Sequence, residues 1–287
     1  MSTSLQDSCE AIVTQTMRLE NSFLQQVVVS NPADRIPENC DAVVVEALEK
    51  CWGSGKSELV SGGEGVEAIA CLPVWKSNEL RNVIAFVLAK HHPPLCGVIE
   101  IWCPTGQYQD LALSRGYFGE LERFQNVSSF VRFERGSGLP GQAWDLGQTV
   151  IHDDLKNHPG FLRAAGAAAD SLETAVGIPV LSDAVVEALV VISSCTSPFA
   201  RALEVWTPSE GMFALKDTAV ASADKSTRQE LGKACSPKSL VNVVVSLERA
   251  VLSSDDRFLS PFPGSQAVLA FPTFVGRALT CITVMVF

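Results

Sequence analysis

The sequence predicts an α/β chain of the α+β kind, with antiparallel sheets flanked by helices and built from duplicated units. Three observations predict it. First, one β-hairpin occurs three times: Val66-Glu67-Ala68-Ile69-Ala70-Cys71-Leu72-Pro73 matches Leu172-Glu173-Thr174-Ala175-Val176-Gly177-Ile178-Pro179, and both match Ser265-Gln266-Ala267-Val268-Leu269-Ala270-Phe271-Pro272. A short turn and a second apolar run follow each proline, at 83–88, 188–192 and 279–287. The shared proline suits a hairpin end or a sheet edge, where no ladder hydrogen bond is lost. Second, a strand pair with a tryptophan occurs twice, as Val98-Ile99-Glu100-Ile101-Trp102-Cys103-Pro104 and Ala202-Leu203-Glu204-Val205-Trp206-Thr207-Pro208, with the tryptophans 104 residues apart. Each copy alternates apolar and polar residues, as a half-buried strand does. A second strand follows each, at 111–114 and 213–216. Third, stretches of helical character lie between these units. A repeat near 100 residues means duplicated domains, since solenoid periods run from 20 to 50.

Taken in order, residues 5–28 read as a helix, with Ile12, Leu19, Phe23 and Val27 at helical spacing and Met17 nearby. Asn31-Pro32 and Ile36-Pro37 mark a loop, because the residue before a proline is driven from the helical region. Asp41 is placed to cap a helix through Ala47, Leu48 and Cys51 that closes near Gly53. If each Trp strand pair is a front half, and each helix plus hairpin a back half, the chain reads back, front, back, front, back. Joining each front half to the back half after it gives units at 95–196 and 197–287. The N-terminal 1–94 is then a helix plus an incomplete half. Joining each to the back half before it gives units near 40–130 and 131–235 instead. Either way one half lacks a partner. Its open sheet edge must be covered by the N-terminal helix or a second subunit, so a homodimer is expected.

Composition narrows the function. The chain has 287 residues, 47% hydrophobic and 19% charged, enough for a large core and against disorder. The net charge of −10, with no long Lys/Arg run, argues against nucleic acid and anionic membrane as partners. Residues 1–9 are polar and carry no secretory signal pattern, and the longest apolar run, near 184–192, is too short to span a bilayer. A cytoplasmic protein is expected. Nine cysteines, an odd number without a Cys-x-x-Cys pair, give neither a zinc-ligand spacing nor a disulfide framework; they read as buried thiols.

The most informative stretch is Phe133-Glu134-Arg135-Gly136-Ser137-Gly138-Leu139-Pro140-Gly141-Gln142-Ala143-Trp144, continued by Gly147-Gln148-Thr149-Val150-Ile151-His152-Asp153-Asp154-Leu155, Pro159-Gly160-Phe161 and the hairpin to Ser194. A Gly-rich turn, a short helix closed by glycine, a strand into an Asp-Leu turn and a hairpin resemble the GAF domain. The resemblance implies a regulatory or sensory module that receives a small molecule or a protein partner and is not an enzyme. An effector of its own is not expected, since the repeats occupy most of the 287 residues. It also implies that the ligand lies between the sheet and the segments crossing it, with walls from Phe133, Trp144, Asp153, Phe161, Arg163 and Ala175. Arg163 is the cation of that set, so an anionic ligand is favoured, and the alanines at 164–169 leave space for it. The second unit is expected to be structural: its turn, Ser236-Pro237-Lys238-Ser239, lacks glycine, and its crossing at 255–264 is short, with Pro261 and Pro263. Two alternatives stay open, a cysteine-dependent redox enzyme of the methionine sulfoxide reductase type and a structural dimerisation scaffold. No cofactor is identified.

Other constellations are weighed against simpler readings. Gly53-Ser54-Gly55-Lys56-Ser57 looks like the end of a phosphate-binding loop, but Lys50 stands where the motif needs glycine, and a helix precedes where a strand should. Gly136-Ser137-Gly138 is read as turn chemistry before a helix. His152, Asp153, Asp154 and His158 form a ligand-rich cluster that the family pattern explains without metal. No Gly-x-Ser-x-Gly elbow and no Cys-His pair for a chromophore is present, and the Asn-Lys start of cyclic-nucleotide-binding GAF domains is missing. Cys71 and Cys103 are placed to meet across strands, with nothing basic beside either to activate a thiolate.

Overall fold

The computed structural model describes residues 14–20, 23–32, 36, 40–63, 65–90, 96–106, 110–221, 228–236, 239–259 and 262–287. Within these residues the strands form three antiparallel sheets. The N-terminal sheet contains β1 (Thr16–Arg18), β2 (Leu24–Ser30), β3 (Glu58–Ser61), β4 (Val66–Lys76) and β5 (Glu79–Ala89), in the order β1-β2-β5-β4-β3, with helix α1 (Ala42–Ser54). The middle sheet contains β6 (Gly97–Thr105), β7 (Asp110–Tyr117), β8 (Arg132–Phe133), β9 (Val150–His152), β10 (Leu172–Leu181) and β11 (Val186–Ser194), in the order β8-β7-β6-β11-β10-β9. Its helices are α2 (Glu122–Phe130), α3 (Gly138–Leu146) and α4 (Ala164–Ala169). The C-terminal sheet contains β12 (Ala202–Ser209), β13 (Met212–Val220), β14 (Val251–Ser253), β15 (Val268–Val275) and β16 (Ala278–Val286), in the order β13-β12-β16-β15-β14, with α5 (Leu240–Leu247) and α6 (Asp256–Leu259). The fold is therefore α+β, with antiparallel sheets and flanking helices.

The repeated hairpin is β4–β5, β10–β11 and β15–β16, in one register: Pro73 faces Val83, Pro179 faces Ala188 and Pro272 faces Ile282. The prolines sit in strands that are interior over part of their length. The neighbouring strand stops before each one, pairing only to Cys71, Gly177 and Ala270. The missing N–H thus costs no ladder bond. β6 pairs with β11 and β12 with β16, so each Trp strand joins the hairpin that follows it in the chain.

Two expectations for the N-terminus are corrected. Residues 16–18 and 24–30 are strands, not helix, while 5–13 and 21–22 lie outside the described residues. β2 pairs with β5, Val27 opposite Phe86 and Val28 opposite Ala85, so the first hairpin does not lack its front strands. The cause is burial on both faces. Leu24, Val27, Val28 and Val29 are all buried, so the strand reads as a continuous apolar run without alternation. Here the outer strand β1 precedes the inner strand β2, whereas β7 and β13 follow β6 and β12. The expected unpaired edge is absent, and with it the ground given for a homodimer. Thr14 donates its N–H to Leu252 O at 2.8 Å, so the N-terminal segment also meets edge strand β14. Asp41 stands at the expected N-cap position but its side chain makes no capping hydrogen bond, and α1 closes on left-handed Gly55, not Gly53. The proline pair positions Pro37 and Pro261 lie outside the described residues, as do Cys9, Pro237 and Lys238.

Each sheet turns one face to a shared core and the other to its own helices. Along β10, Val176, Ile178 and Val180 enter the shared core, while Leu172 and Ala175 pack under helices. Phe86, Leu189, Phe271 and Met285 join that core from all three sheets. The three sheets also dock head to tail. Two residues beyond the left-handed cap of α1, Ser57 donates its N–H to Glu187 Oε2 at 2.7 Å. Two beyond Gly147, Thr149 N–H meets Cys281 Sγ at 3.3 Å; two beyond Glu248, Ala250 donates to Asn82 Oδ1 at 2.7 Å. Glu187, Cys281 and Asn82 each stand one residue before the partner of the repeated proline. A head-to-tail contact that closes after three steps is the geometry of a trimeric ring, here within one chain. At its centre, Leu72–Trp75, Ile178–Leu181 and Phe271–Phe274 surround a space of only about 10 Å³, enough for at most one water.

Candidate functional site

The middle and C-terminal sheets carry the same pair on their inner front strand. Glu100 and Trp102 of β6 face the helices, and Trp102 Nε1 donates to Glu100 Oε2 at 3.0 Å. Glu204 and Trp206 of β12 repeat this at 2.8 Å. Alternation places residues two apart on one face, and a buried indole N–H needs an acceptor, so the Glu-x-Trp spacing builds its own hydrogen bond.

Over the middle sheet the space above this pair is filled from within. Arg163, at the start of α4, donates through Nη1 to Glu100 Oε1 at 2.5 Å, through Nη2 to Glu100 Oε2 at 2.8 Å, and through Nη1 to Ser128 Oγ at 2.6 Å. Its guanidinium carbon lies 4.7 Å from the Phe124 ring and 5.4 Å from the rings of both Trp102 and Phe161. Phe133 stands 5.9 Å away. Arg163 is 3% exposed and Glu100 0%. A bidentate pair inside an aromatic cage is a binding event made by the chain itself, with Arg163 Nε alone of the guanidinium nitrogens left buried without a partner.

The six residues expected at the site are therefore placed as follows. Phe133, Phe161 and Ala175 belong to one buried cluster with Trp102, and Arg163 lies among its rings. Trp144, on α3, packs at the margin of that cluster, with the Arg135 guanidinium 5.7 Å from its ring. Asp153 stands apart, accepting from Thr174 Oγ1 at 3.0 Å and facing Arg228 at 3.8 Å. Arg163, expected to receive an anion, holds Glu100 instead. The alanines of α4 admit the arginine: Ala167 is buried, and Gly166 lies against Phe124.

Over the C-terminal sheet no described arginine crosses the pair. Glu204 Oε1 accepts from Gln229 Nε2 at 2.5 Å, and Glu204 is 4% exposed. Burial pushes its carboxyl pKa up, against the opposing influence of the Trp206 and Gln229 hydrogen bonds and the charge of Lys233. Above it opens a cavity of about 260 Å³, walled by Trp206, Phe258, Phe262, Val268 and Val284. Ser239 Oγ is buried on its lining without a hydrogen-bond partner. Two cations border it, and both are engaged: Lys233 Nζ donates to Gln229 Oε1 at 2.9 Å, and Arg257 donates to Asp255 through Nε at 2.9 Å and Nη2 at 2.6 Å. The second unit, expected to be structural because its crossing is short, carries this space nonetheless. A short crossing sends no arginine inward, so the space stays open. A further opening of about 420 Å³, beside Pro32, Ile36, Glu49, Trp52 and Gly53, borders residues outside those described.

The remaining constellations resolve into structure. The phosphate-loop lookalike does bind a carboxylate, but it is Glu187 of the next sheet, through the Ser57 N–H. His152 stacks on His158 with ring centroids 3.8 Å apart, and its Nε2 is 3.0 Å from Gln142 Oε1. Burial, aided by His158, pushes His152 down to about 4. Asp154 takes a left-handed conformation, φ 51°, outside the strand, so it shares no strand face with His152. No group of three metal-ligating side chains occurs among the described residues. Cys71 and Cys103 lie in different sheets, β4 and β6. Burial raises the thiol pKa of Cys40, Cys51, Cys71, Cys96, Cys103 and Cys281. Among the described residues no helix is long and apolar enough to cross a membrane.

No family model matches the chain, and no curated protein matches its sequence. Among solved structures it is similar to a free methionine-R-sulfoxide reductase from Neisseria meningitidis in complex with its substrate, at 21% identity over 34% of this chain and 51% of that one, TM-score 0.26. It is similar to the A. Aeolicus nlh2 GAF domain in an inactive state, at 18% identity over 33% of this chain and 55% of that one, TM-score 0.26. It is also similar to a NreA protein from Staphylococcus aureus mutated in its nitrate binding site, at 12% identity over 37% of this chain and 78% of that one, TM-score 0.30. The chain spans about half the length of the first two. Its fold is defined by the strand order of its own three sheets.

Proposed function

We propose that this chain is a regulatory, non-enzymatic sensor that receives a small molecule in the cavity over its C-terminal sheet. The middle sheet, with Phe133, Trp144, Phe161, Arg163 and Ala175, forms its closed counterpart. One observation carries the proposal: the same Glu-x-Trp pair is covered by Arg163 on one sheet and left beneath a cavity of about 260 Å³ on the other. A concave site with apolar walls and a few convergent polar groups is the usual form of a small-molecule pocket. Burial raises the pKa of six thiols, which weighs against redox chemistry at those six, since thiol chemistry needs an accessible thiolate of lowered pKa; Cys195 is the exposed thiol among the described residues.

Native mass spectrometry of freshly purified protein tests this reading, with Ala234→Trp as the comparison. Ala234 is exposed at the cavity lining, so a tryptophan there closes the entrance with little strain on the core. The expected result is a retained small molecule, or saturable uptake from a metabolite mixture, that Ala234→Trp abolishes. Uptake that Ala234→Trp leaves unchanged, or no uptake at all, contradicts the proposal.

A further inference from the structure

The chain contains a worked example of what its open cavity lacks. Glu100 with Trp102 and Glu204 with Trp206 are the same pair at the same place in two copies of one sheet. In the first copy, the group on the carboxylate is a guanidinium, held by two N–H bonds and surrounded by rings. In the second, the carboxylate is equally buried, the flanking tryptophan is kept, and Phe258 and Phe262 supply further rings. What is missing, among the described residues, is the cation.

The geometry points to a small guanidinium cation as the ligand class of the C-terminal cavity, its two N–H edges on Glu204 and its plane against Trp206. This rests on the reading that the cavity receives a small molecule, and adds its chemistry. Gln229 marks the place. Its amide nitrogen occupies Oε1 of Glu204 as Arg163 Nη1 occupies Oε1 of Glu100, but one neutral N–H replaces a charged two-bond fork. Gln229 is only half-buried and not fixed in a strand or helix, so it can yield to a ligand that bonds the carboxylate better. The orphaned Ser239 Oγ offers a further acceptor for a guanidinium N–H, the role Ser128 Oγ plays for Arg163. The rim cations oppose such a ligand weakly, because Arg257 is neutralised by Asp255 and Lys233 is exposed to screening solvent. An unpaired buried carboxylate is costly, so an arriving cation that pairs with it gains more than it would at the surface.

Calorimetric or ligand-observed NMR titration of the full chain tests this, using methylguanidinium, methylammonium, N-methylurea and acetate as probes. The expected result is saturable binding of methylguanidinium, at least about tenfold tighter than N-methylurea and weakened at least about tenfold by Glu204→Gln. Gln keeps the shape and one acceptor, for the buried Trp206 N–H, while the half-buried Gln229 amide can turn its own oxygen to the new NH2; a far-UV and urea-unfolding check confirms that the variant folds. Binding of acetate or N-methylurea in preference, blocked by Ala234→Trp but unmoved by Glu204→Gln, overturns the guanidinium class while leaving the cavity's receptor role intact. Preference for methylammonium narrows the cation to an amine and overturns the guanidinium assignment. Saturable binding of none of the probes overturns it as well, and retained ligand in the native mass measurement then decides the receptor role separately.

Discussion

Glu100 and Glu204 occupy equivalent places on β6 and β12, each bonded to a tryptophan two residues on. One is sealed by Arg163, and the other faces a cavity of about 260 Å³. The strands that build the two sites are alike, so the difference comes from the crossing segments. The middle crossing is long enough to place an arginine, then a run of small residues, over the sheet. The C-terminal crossing is shorter and begins with the four-residue helix α6. On the proposed function, duplicated sheets with one filled site and one open site divide two roles that a single copy must combine: fastening its own crossing segment and receiving a ligand.

The largest expected effect comes from breaking the filled site. Arg163→Ala leaves Glu100 buried and unpaired, and should lower stability by about 3–5 kcal/mol in urea unfolding. Replacing both partners with apolar or neutral residues of similar shape, as in Glu100→Gln with Arg163→Met, should recover much of that loss. If the single variant loses less than 1 kcal/mol, the pair is not the plug described.

Next are the ring contacts, which should cost less because each is one hydrogen bond. Asn82 is fully buried and accepts the Ala250 N–H, so Asn82→Ala should cost about 1–3 kcal/mol by orphaning that donor. Glu187→Gln, which keeps an acceptor for Ser57, should cost less than Glu187→Ala. Equal losses from the two would mean that the carboxylate's charge, not its oxygen, matters there.

Acid should distinguish the two sheets. His152 on β9 is matched by Ser253 on β14, which does not titrate. The folded-state value near 4 is depressed below the ordinary 6.5, so its contribution is present above about 6.5 and lost as pH falls toward 4. We expect a loss of roughly 1–3 kcal/mol across that window, absent in His152→Gln, measured by urea unfolding at stepped pH.

Glu204 should give the smallest effect, with opposite sign. Its folded value is raised, so the folded chain binds the proton more tightly than the unfolded chain. That stability is present below the ordinary glutamate range and is lost as pH rises through the raised folded value. Glu204→Gln should flatten this fall, and bound methylguanidinium should reverse it by favouring the ionised carboxylate. An unchanged slope in the variant would remove Glu204 as its source.

Much of the fold was legible because its signals are local. The thrice-repeated hairpin runs only over 66–89, 172–194 and 268–286, and the Glu-x-Trp strands and glycine-closed helices are shorter still. β2 was not, since Val27, Val28 and Val29 are buried together and give no alternation, while Leu19, Phe23 and Val27 fall by chance at helical spacing. The site was half legible. Phe133, Phe161 and Ala175 are identified from the family pattern, but Arg163 looks like a free cation until Glu100, 63 residues earlier, is brought beneath it. The clue was present: a glutamate on the tryptophan-bearing face of an otherwise apolar strand needs a partner. It appears twice, and among the described residues one copy has an arginine to meet it and the other has none.

The most direct test counts binding sites. Methylguanidinium titrated into the unaltered chain should saturate at one equivalent, over Glu204. Arg163→Ala should take up two, the second replacing the lost guanidinium over Glu100, and Arg163→Ala combined with Glu204→Gln should return to one. If Arg163→Ala still folds but gains no second equivalent, or if the unaltered chain binds none, the two sites are not the filled and open forms of one receptor.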